Sequence, residues 1–316
     1  MRVHTEASEL PEIKNPVLTI GTFDGVHLGH QKILTLLKES AKEIEGETVL
    51  FTFHPHPRMV LNPEDHNLEL IQPIEDRIKL LEEYGLDHLI LYPFTKEFSR
   101  LTATDFIRNV MVNQIGVKMM TIGYNHHFGR NREGNIDLLK ELGNVYGFAV
   151  EEQPAFRIGE DSVSSTKIRR AVSEGNIRLA NIFLGRNFGF RGSVVSGDQL
   201  GSKIGFPTAN IKAIGEFQVL PKVGVYAVRA KINGTIYDGM CNIGHRPTVS
   251  IDGEQRVEIH VFDFDKRIYG EEIELLFVEH IRDEKGFESI DALKEQLKKD
   301  EEQSRHILGL NDTAIL

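Results

Sequence analysis

The chain has 316 residues, 40% hydrophobic and 27% charged, with a formal net charge of −10. At about 150 residues per domain, that length favours two domains, each large enough to bury its own core. The composition excludes disorder, collagen and coiled coil for the whole chain, and the acidic balance argues against a nucleic-acid-backbone binder.

The N-terminal stretch has no apolar signal core, and no apolar run approaches the roughly 18 residues that span a bilayer. The single cysteine, Cys241, cannot form an intrachain disulfide, and suits a small packed residue better than a nucleophile. The expectation is a cytoplasmic protein without a membrane partner.

The first half alternates strand and helix. Val17–Ile20 reads as a buried strand, and Ile33, Leu36, Leu37, Ala41 and Ile44 recur at helical spacing. Thr48–Phe53 is the next strand, Ile78–Tyr84 a helix, His88–Leu91 a strand and Ala103–Val112 a helix. Met119–Ile122 is a strand, Ile136–Val145 a helix and Gly147–Glu151 a last strand. This pitch predicts an α/β unit, a parallel sheet with helices on both faces, which binds ligands beyond the carboxyl ends of its strands. A helical pair, Ser164–Glu174 and Ile177–Leu184, follows.

After Gly189 the helical period disappears until Ser289. Val223–Ile232 and Thr235–Met240 flank Asn233-Gly234, a two-residue hairpin signal. Arg256–Phe262 alternates, with Val257, Ile259 and Val261 on one face and Glu258 and His260 on the other. Glu272–Val278 is another strand, so this half reads as a small antiparallel barrel or sandwich. Ser289–Glu302 closes the chain as an amphipathic helix with Ile290, Leu293 and Leu297 on its apolar side. The domain boundary falls at 185/186.

Two segments carry chemistry. Gly21-Thr22-Phe23-Asp24-Gly25-Val26-His27-Leu28-Gly29-His30 lies between the first strand and the first helix. Glycines allow close backbone approach, a helix start favours phosphate, and His27 and His30 share one side of the first turn. One such histidine would be an ordinary polar residue; the pair with both glycines after a strand suits binding phosphate oxygens and stabilising charge that develops in a transition state. The second segment is Gly-rich: Gly197, Gly201, Gly205, Phe206, Pro207, Thr208, Ala209 and Asn210, without Walker A spacing. Its backbone N–H groups suit phosphates, and Thr208 and Asn210 offer hard oxygens for magnesium.

Gly21 to His30 resembles the HxGH signature of the nucleotidylyltransferase superfamily, and TIGTFDGVHLGHQKIL resembles its flavin branch, the bacterial bifunctional riboflavin kinase/FAD synthetases. Ser164-Ser165-Thr166-Lys167-Ile168-Arg169 resembles the SSTxxR element of that superfamily. The resemblance places ATP on Gly21, Phe23, Asp24, His27, His30, Ser164, Ser165, Thr166, Lys167 and Arg169. It places the flavin on Asn125 and Phe128 of Gly123–Arg130, and on His56 of Thr52–Pro57. GFPTAN over 205–210 resembles the riboflavin kinase signature, with Asn242–Thr248 and Glu258–Asp263 matching two more strings.

The resemblance makes Glu258 the base that takes the proton of the ribityl 5′-hydroxyl. Gly197, Gly201, Gly205, Pro207, Thr208, Asn210, Asn242 and Arg282 become nucleotide or flavin contacts, with Thr208 and Asn210 on the metal. Ser202 stands where the family commonly has Arg, and Gly286 where it has Lys.

The fold implied is a Rossmann-like HxGH nucleotidylyltransferase domain over 1–185, then a six-stranded antiparallel riboflavin-kinase barrel with a C-terminal helix over 186–316. The activity implied is phosphorylation of riboflavin to FMN by ATP with Mg2+, and adenylyl transfer to FMN giving FAD. Two other readings stay open: an FMN adenylyltransferase with a weakened kinase barrel, and a non-catalytic flavin or nucleotide sensor.

Overall fold

The structure is a computed structural model that describes residues 1–5, 10–62, 64, 69–124, 126–196, 201, 204–215, 217–245 and 255–312. The chain forms two compact units, Met1–Leu68 with Ile74–Ser164, and Glu69–Pro73 with Ser165–Leu316.

In the first unit the elements run β1 (Arg2–His4), β2 (Val17–Ile20), α1 (Leu28–Glu43), β3 (Thr48–His54), α2 (Pro57–Leu61), α3 (Ile74–Glu83) and β4 (His88–Pro93). After a 3-10 turn, α4 (Ala103–Phe106) runs into a π-helical stretch, Ile107–Gln114. Then come β5 (Met119–Gly123), α5 (Ile136–Tyr146), β6 (Ala149–Gln153) and the small hairpin β7 (Arg157–Ile158) and β8 (Asp161–Ser162). The sheet is parallel, in the order β1-β4-β3-β2-β5-β6. From β2 the chain adds β3 and β4 on one side and then β5 and β6 on the other, and the loop after β2 opens at that switch point.

Strand residues alternate between two cores. Leu18, Ile20, Val49, Phe51 and Ile90 pack with the α4 and α5 side, and Val17, Leu50 and Leu89 with α1 and α3. This two-sided burial is why β2 reads as an uninterrupted apolar run.

In the second unit, α6 (Ser165–Ser173) and α7 (Ile177–Leu184) precede β9 (Phe188–Val195), β10 (Ala209–Ala213), β11 (Gly224–Ile232), β12 (Thr235–His245), β13 (Gln255–Val261), β14 (Glu272–Arg282) and α8 (Ile290–Asp312). The six strands close a barrel in the order β10-β13-β12-β11-β14-β9, all pairs antiparallel. The expected parallel sheet and antiparallel barrel are both present. Asn233 (φ 48°) and Gly234 (φ 82°) form the two-residue turn between β11 and β12, both left-handed as a type I′ hairpin requires. Asn181 ties α7 to the barrel: its Nδ2 donates to the Phe277 carbonyl at 2.9 Å and its Oδ1 accepts from the Phe188 N–H at 2.7 Å.

Several elements differ from the sequence reading, among them α2, the β7–β8 hairpin, and strands β9 and β10, which it did not name. Strand β1 was not expected; it pairs with β4, and His4 Nε2 lies 2.9 Å from His88 Nδ1. The helix expected over 103–112 widens to π geometry from Ile107. Helix α8 is longer than expected, and Ile290 is 60% exposed rather than on its apolar face. Leu293 and Leu297 do pack inward, joined by Ile307 and Leu308, against Ala227, Met240 and Val278. Ile290 is the first residue of α8 and falls outside that cluster.

Candidate functional sites

The first site is built by the turn between β2 and α1. Gly21 N–H still bonds to the Phe51 carbonyl at 3.1 Å, and then the chain leaves the sheet. Phe23 (φ 49°), Gly25 (φ 81°) and Val26 (φ 38°) all take the left-handed region, strained for Phe and more so for β-branched Val. Bonds within the turn and from α1 and α3 help to hold it. Val26 N–H donates to the Phe23 carbonyl at 3.0 Å, Gln31 Nε2 donates to the Val26 carbonyl at 2.9 Å, and Arg77 Nη1 donates to the Thr22 carbonyl at 2.7 Å.

Arg77 comes from α3, is 4% exposed, and its Nη2 lies 3.6 Å from Asp24 Oδ1; Asp24 is itself 1% exposed. Burial pulls the guanidinium below its ordinary range, and the Asp24 carboxylate opposes that pull. The two charges fix the turn from beneath.

His27 is the N-cap of α1, where its Nδ1 accepts the His30 N–H at 3.3 Å. An Nδ1 used as acceptor puts the ring hydrogen of a neutral imidazole on Nε2, an N–H donor of the kind that anionic oxygens accept from. The His27 and His30 rings stack with centroids 3.6 Å apart, and Phe23 stacks on His30 at 4.4 Å. A Cβ on Gly29 would lie 3.1 Å from His27 Cε1, so the second glycine of the motif makes room for that ring. Gly21, Phe23, Asp24, His27 and His30 thus come together, with Asp24 buried on Arg77.

Of the SSTxxR residues, Ser164 ends the first unit, while Ser165, Thr166, Lys167 and Arg169 begin α6 in the second. Ile168 is the buried member of that turn.

The expected flavin loop follows β5. Asn125 lies outside the described residues. Phe128 is only 7% exposed and packs in the core with Phe106; a Cβ on Gly134 would come within 2.6 Å of its ring. His126 stacks near Phe128, and its Nε2 is shielded from solvent with no hydrogen-bond partner among the described residues. Burial pushes His126 down to about 4, with His127 and Arg132 adding to the shift. His56 caps α2, its Nδ1 accepting the Arg58 N–H at 3.2 Å. The half-buried aromatic surface at this edge of β3 and β4 is Phe53, Tyr92, Phe94 and Phe98. These four read from sequence only as strand and loop apolar residues.

The second site lies on the outside of the barrel. Asn210 on β10 and Asn242 on β12 are both register partners of Glu258 on β13, so three polar residues form one row across three adjacent strands. Glu258 and His260 share the face opposite buried Val257, Ile259 and Val261, as the alternation implied. Arg256, on the Glu258 side of β13, was not singled out from sequence. Its Nε hydrogen-bonds Asn210 Oδ1 and lies 2.8 Å from Glu258 Oε1.

The loop before β10 turns on Gly201, whose carbonyl accepts the Ile204 and Phe206 N–H groups at 3.1 and 2.9 Å. A Cβ on Gly201 would sit 2.2 Å from the Phe206 carbonyl oxygen. Gly205 is left-handed (φ 91°). His260 Nδ1 donates to the Pro207 carbonyl at 2.7 Å, which anchors the loop to β13 and occupies that nitrogen. Gly197 and Ser202 lie outside the described residues.

Thr208 and Asn210 fit a hard divalent cation: a hydroxyl and an amide oxygen, the latter already turned toward a cationic group. Cys241 is buried beside this row, and burial pushes its thiol well up, which suits packing rather than nucleophilic chemistry.

Arg282, expected on nucleotide or flavin, serves α8 in this structure. Its Nε and Nη2 donate to Asp300 at 2.9 and 2.7 Å, and its Nη1 to the Asp283 carbonyl at 3.0 Å. Asp300 is 1% exposed and also accepts from Gln296 at 2.7 Å. A Cβ on Gly286 would meet nothing within 4 Å, so no steric demand selects glycine there.

Known proteins are similar to this chain in sequence and fold. Residues 10–167 match the FAD synthetase family model and residues 184–308 the riboflavin kinase model. A protein of Listeria monocytogenes named bifunctional riboflavin kinase/FMN adenylyltransferase is 37% identical over 293 residues, covering 92% of each chain. One of the same name from Escherichia coli K12 is 37% identical over 299 residues, covering 94% of each. A crystal structure from Streptococcus pneumoniae, described as a macrolide-efflux protein, matches with a TM-score of 0.88 and 31% identity, over 96% of this chain and 98% of that one. Among the described residues no helix is long and apolar enough to cross a membrane. With both family models matched in order and relatives aligned over 92% and 94% of both chains, this chain belongs to the bifunctional riboflavin kinase/FMN adenylyltransferase family.

Proposed function

We propose that residues 1–185 transfer AMP from ATP to FMN and that residues 186–316 phosphorylate riboflavin, both with Mg2+. One observation favours two activities over one: Asn210, Glu258 and Asn242 stand in a single row on rigid barrel strands. A barrel kept only as scaffold, or a flavin sensor, has no need of a carboxylate set between two amides.

In the first site, His27 offers its Nε2 hydrogen and His30 stacks beside it, where charge develops on the phosphates as pyrophosphate leaves. The α1 N-terminus faces the same oxygens. The flavin lies by the loop after β5 and by His56.

In the second site, Glu258 takes the proton of the ribityl 5′-hydroxyl as that oxygen attacks the γ-phosphorus of ATP, and ADP leaves. Gly201 and Gly205 let the backbone approach the phosphates, and Thr208 and Asn210 hold the metal. When bound, the metal neutralises phosphate charge during transfer. Neither half-reaction needs a covalent enzyme intermediate; positioning and charge stabilisation suffice.

The test follows FMN and FAD chromatographically with the full chain, MgATP and either riboflavin or FMN. Glu258→Gln keeps size and hydrogen bonding but not basicity, so FMN formation should fall about 10²–10⁴-fold while FAD formation from supplied FMN continues. His27→Ala should show the reverse, with FAD formation down about 10²–10³-fold. If the unmutated chain makes FAD from FMN but no FMN from riboflavin, the two-activity reading is wrong.

A further inference from the structure

The guanidinium of Arg256 sits where the kinase chemistry needs open oxygens. Its Nε hydrogen-bonds Asn210 Oδ1 and is 2.8 Å from Glu258 Oε1, so one cationic N–H lies between an amide and a carboxylate from adjacent strands. A divalent metal on Asn210 needs that amide oxygen. A base at Glu258 needs a lone pair directed at the substrate hydroxyl. A metal ion brought to the same amide oxygen would meet the positive charge of the guanidinium already bonded to it, and the Oε1 side of Glu258 is turned to that cation rather than to a substrate. His260 cannot take over its position, because its Nδ1 is committed to the Pro207 carbonyl.

We infer that Arg256 is a positioning residue of the kinase site: it occupies the cation position between Asn210 and Glu258 in the nucleotide-free protein and is displaced when metal–nucleotide binds. This rests on the kinase reading given above. Held there, Arg256 keeps Asn210 and Glu258 aimed at one point and stops the carboxylate turning away from its row. Released, its five fixed donors suit the charge that builds on the γ-phosphate during transfer, a group that ADP lacks. The side chains of Arg256 and Glu258 are 26% and 24% exposed, so the guanidinium has solvent to move into. A plain surface ion pair would stabilise the strand slightly and have no link to metal.

The experiment measures hydrogen exchange in peptides covering 204–215 during ADP titrations, with and without Mg2+, on the full chain. That segment reports the barrel site apart from the nucleotide site on α1. Arg256→Gln should bind Mg–ADP roughly fivefold more tightly, since no cation has to leave, with metal-free ADP unchanged. In FMN formation its KM for MgATP should fall together with kcat, because the phosphates lose the released guanidinium. Arg256→Lys keeps the charge without the planar fork and should retain near-parental Mg–ADP affinity. Unchanged or weaker Mg–ADP binding in Arg256→Gln overturns the inference, as does a Lys variant identical to Gln. Should the unmutated chain show no Mg–ADP protection over 204–215, the kinase reading itself fails.

Discussion

Replacing Arg77 with Met removes the support of the first site without touching a residue assigned to ATP contact, apart from Asp24 beneath the turn. Arg77 is 4% exposed and Asp24 1% exposed, so the substitution leaves a buried carboxylate without its guanidinium, and also removes the 2.7 Å bond to the Thr22 carbonyl. Breaking a buried pair from one side costs about 3–5 kcal/mol, a large part of the roughly 5–15 kcal/mol that holds a domain folded. In a unit of this size each kcal/mol moves the melting midpoint by about 2–4 °C, so the first unit should melt at least about 6 °C lower.

The left-handed Phe23 and Val26 then lose the tie that holds them strained, and His27 moves with the turn. FAD formation should fall at least about tenfold while FMN formation stays at the parental rate. Differential scanning calorimetry and the two assays together read this. The double variant Arg77→Met, Asp24→Asn removes the stranded charge and should recover at least about 1 kcal/mol over Arg77→Met. If the double variant instead costs the sum of the two singles, the pair is not coupled and the reasoning is refuted.

Two further outcomes follow from the same contacts. His126 is held down to about 4 against an ordinary 6.5, so the unfolded chain takes up its proton first as pH falls through 6.5. Stability of the first unit should therefore drop by about 2 kcal/mol between pH 6.5 and 5 on this account, and His126→Phe should flatten that slope in urea melts at the two pH values. An unchanged slope would mean that His126 titrates normally. Asp300→Asn leaves Arg282 without its buried carboxylate, which should cost the barrel unit about 3 kcal/mol and speed proteolysis within α8, with FAD formation from FMN intact; equal proteolysis rates would show that Arg282 does not hold that helix.

The strands that were legible in the sequence were those whose burial pattern is local. Val17–Ile20 is buried on both faces and reads as one apolar run, while Val257, Ile259 and Val261 alternate with Glu258 and His260 because only one face is covered. Asn233-Gly234 carries its turn in its own backbone preferences. Strand β1 was missed, because Arg2 and His4 look polar and β1 exists only by pairing with β4.

The site divides in the same way. His27, Gly29 and His30 are neighbours in the chain, so one turn of helix and one missing Cβ bring them together. Arg77 beneath Asp24, Arg256 between Asn210 and Glu258, and Arg282 on Asp300 were invisible as partners. Arg256 and Glu258 are two apart on one strand face, but Arg77 to Asp24, Arg256 to Asn210 and Arg282 to Asp300 span 53, 46 and 18 positions, and a charged residue carries no local mark of so distant a partner. Periodicity records which face of an element is buried; which opposite charge lies against that face is set by how the elements pack.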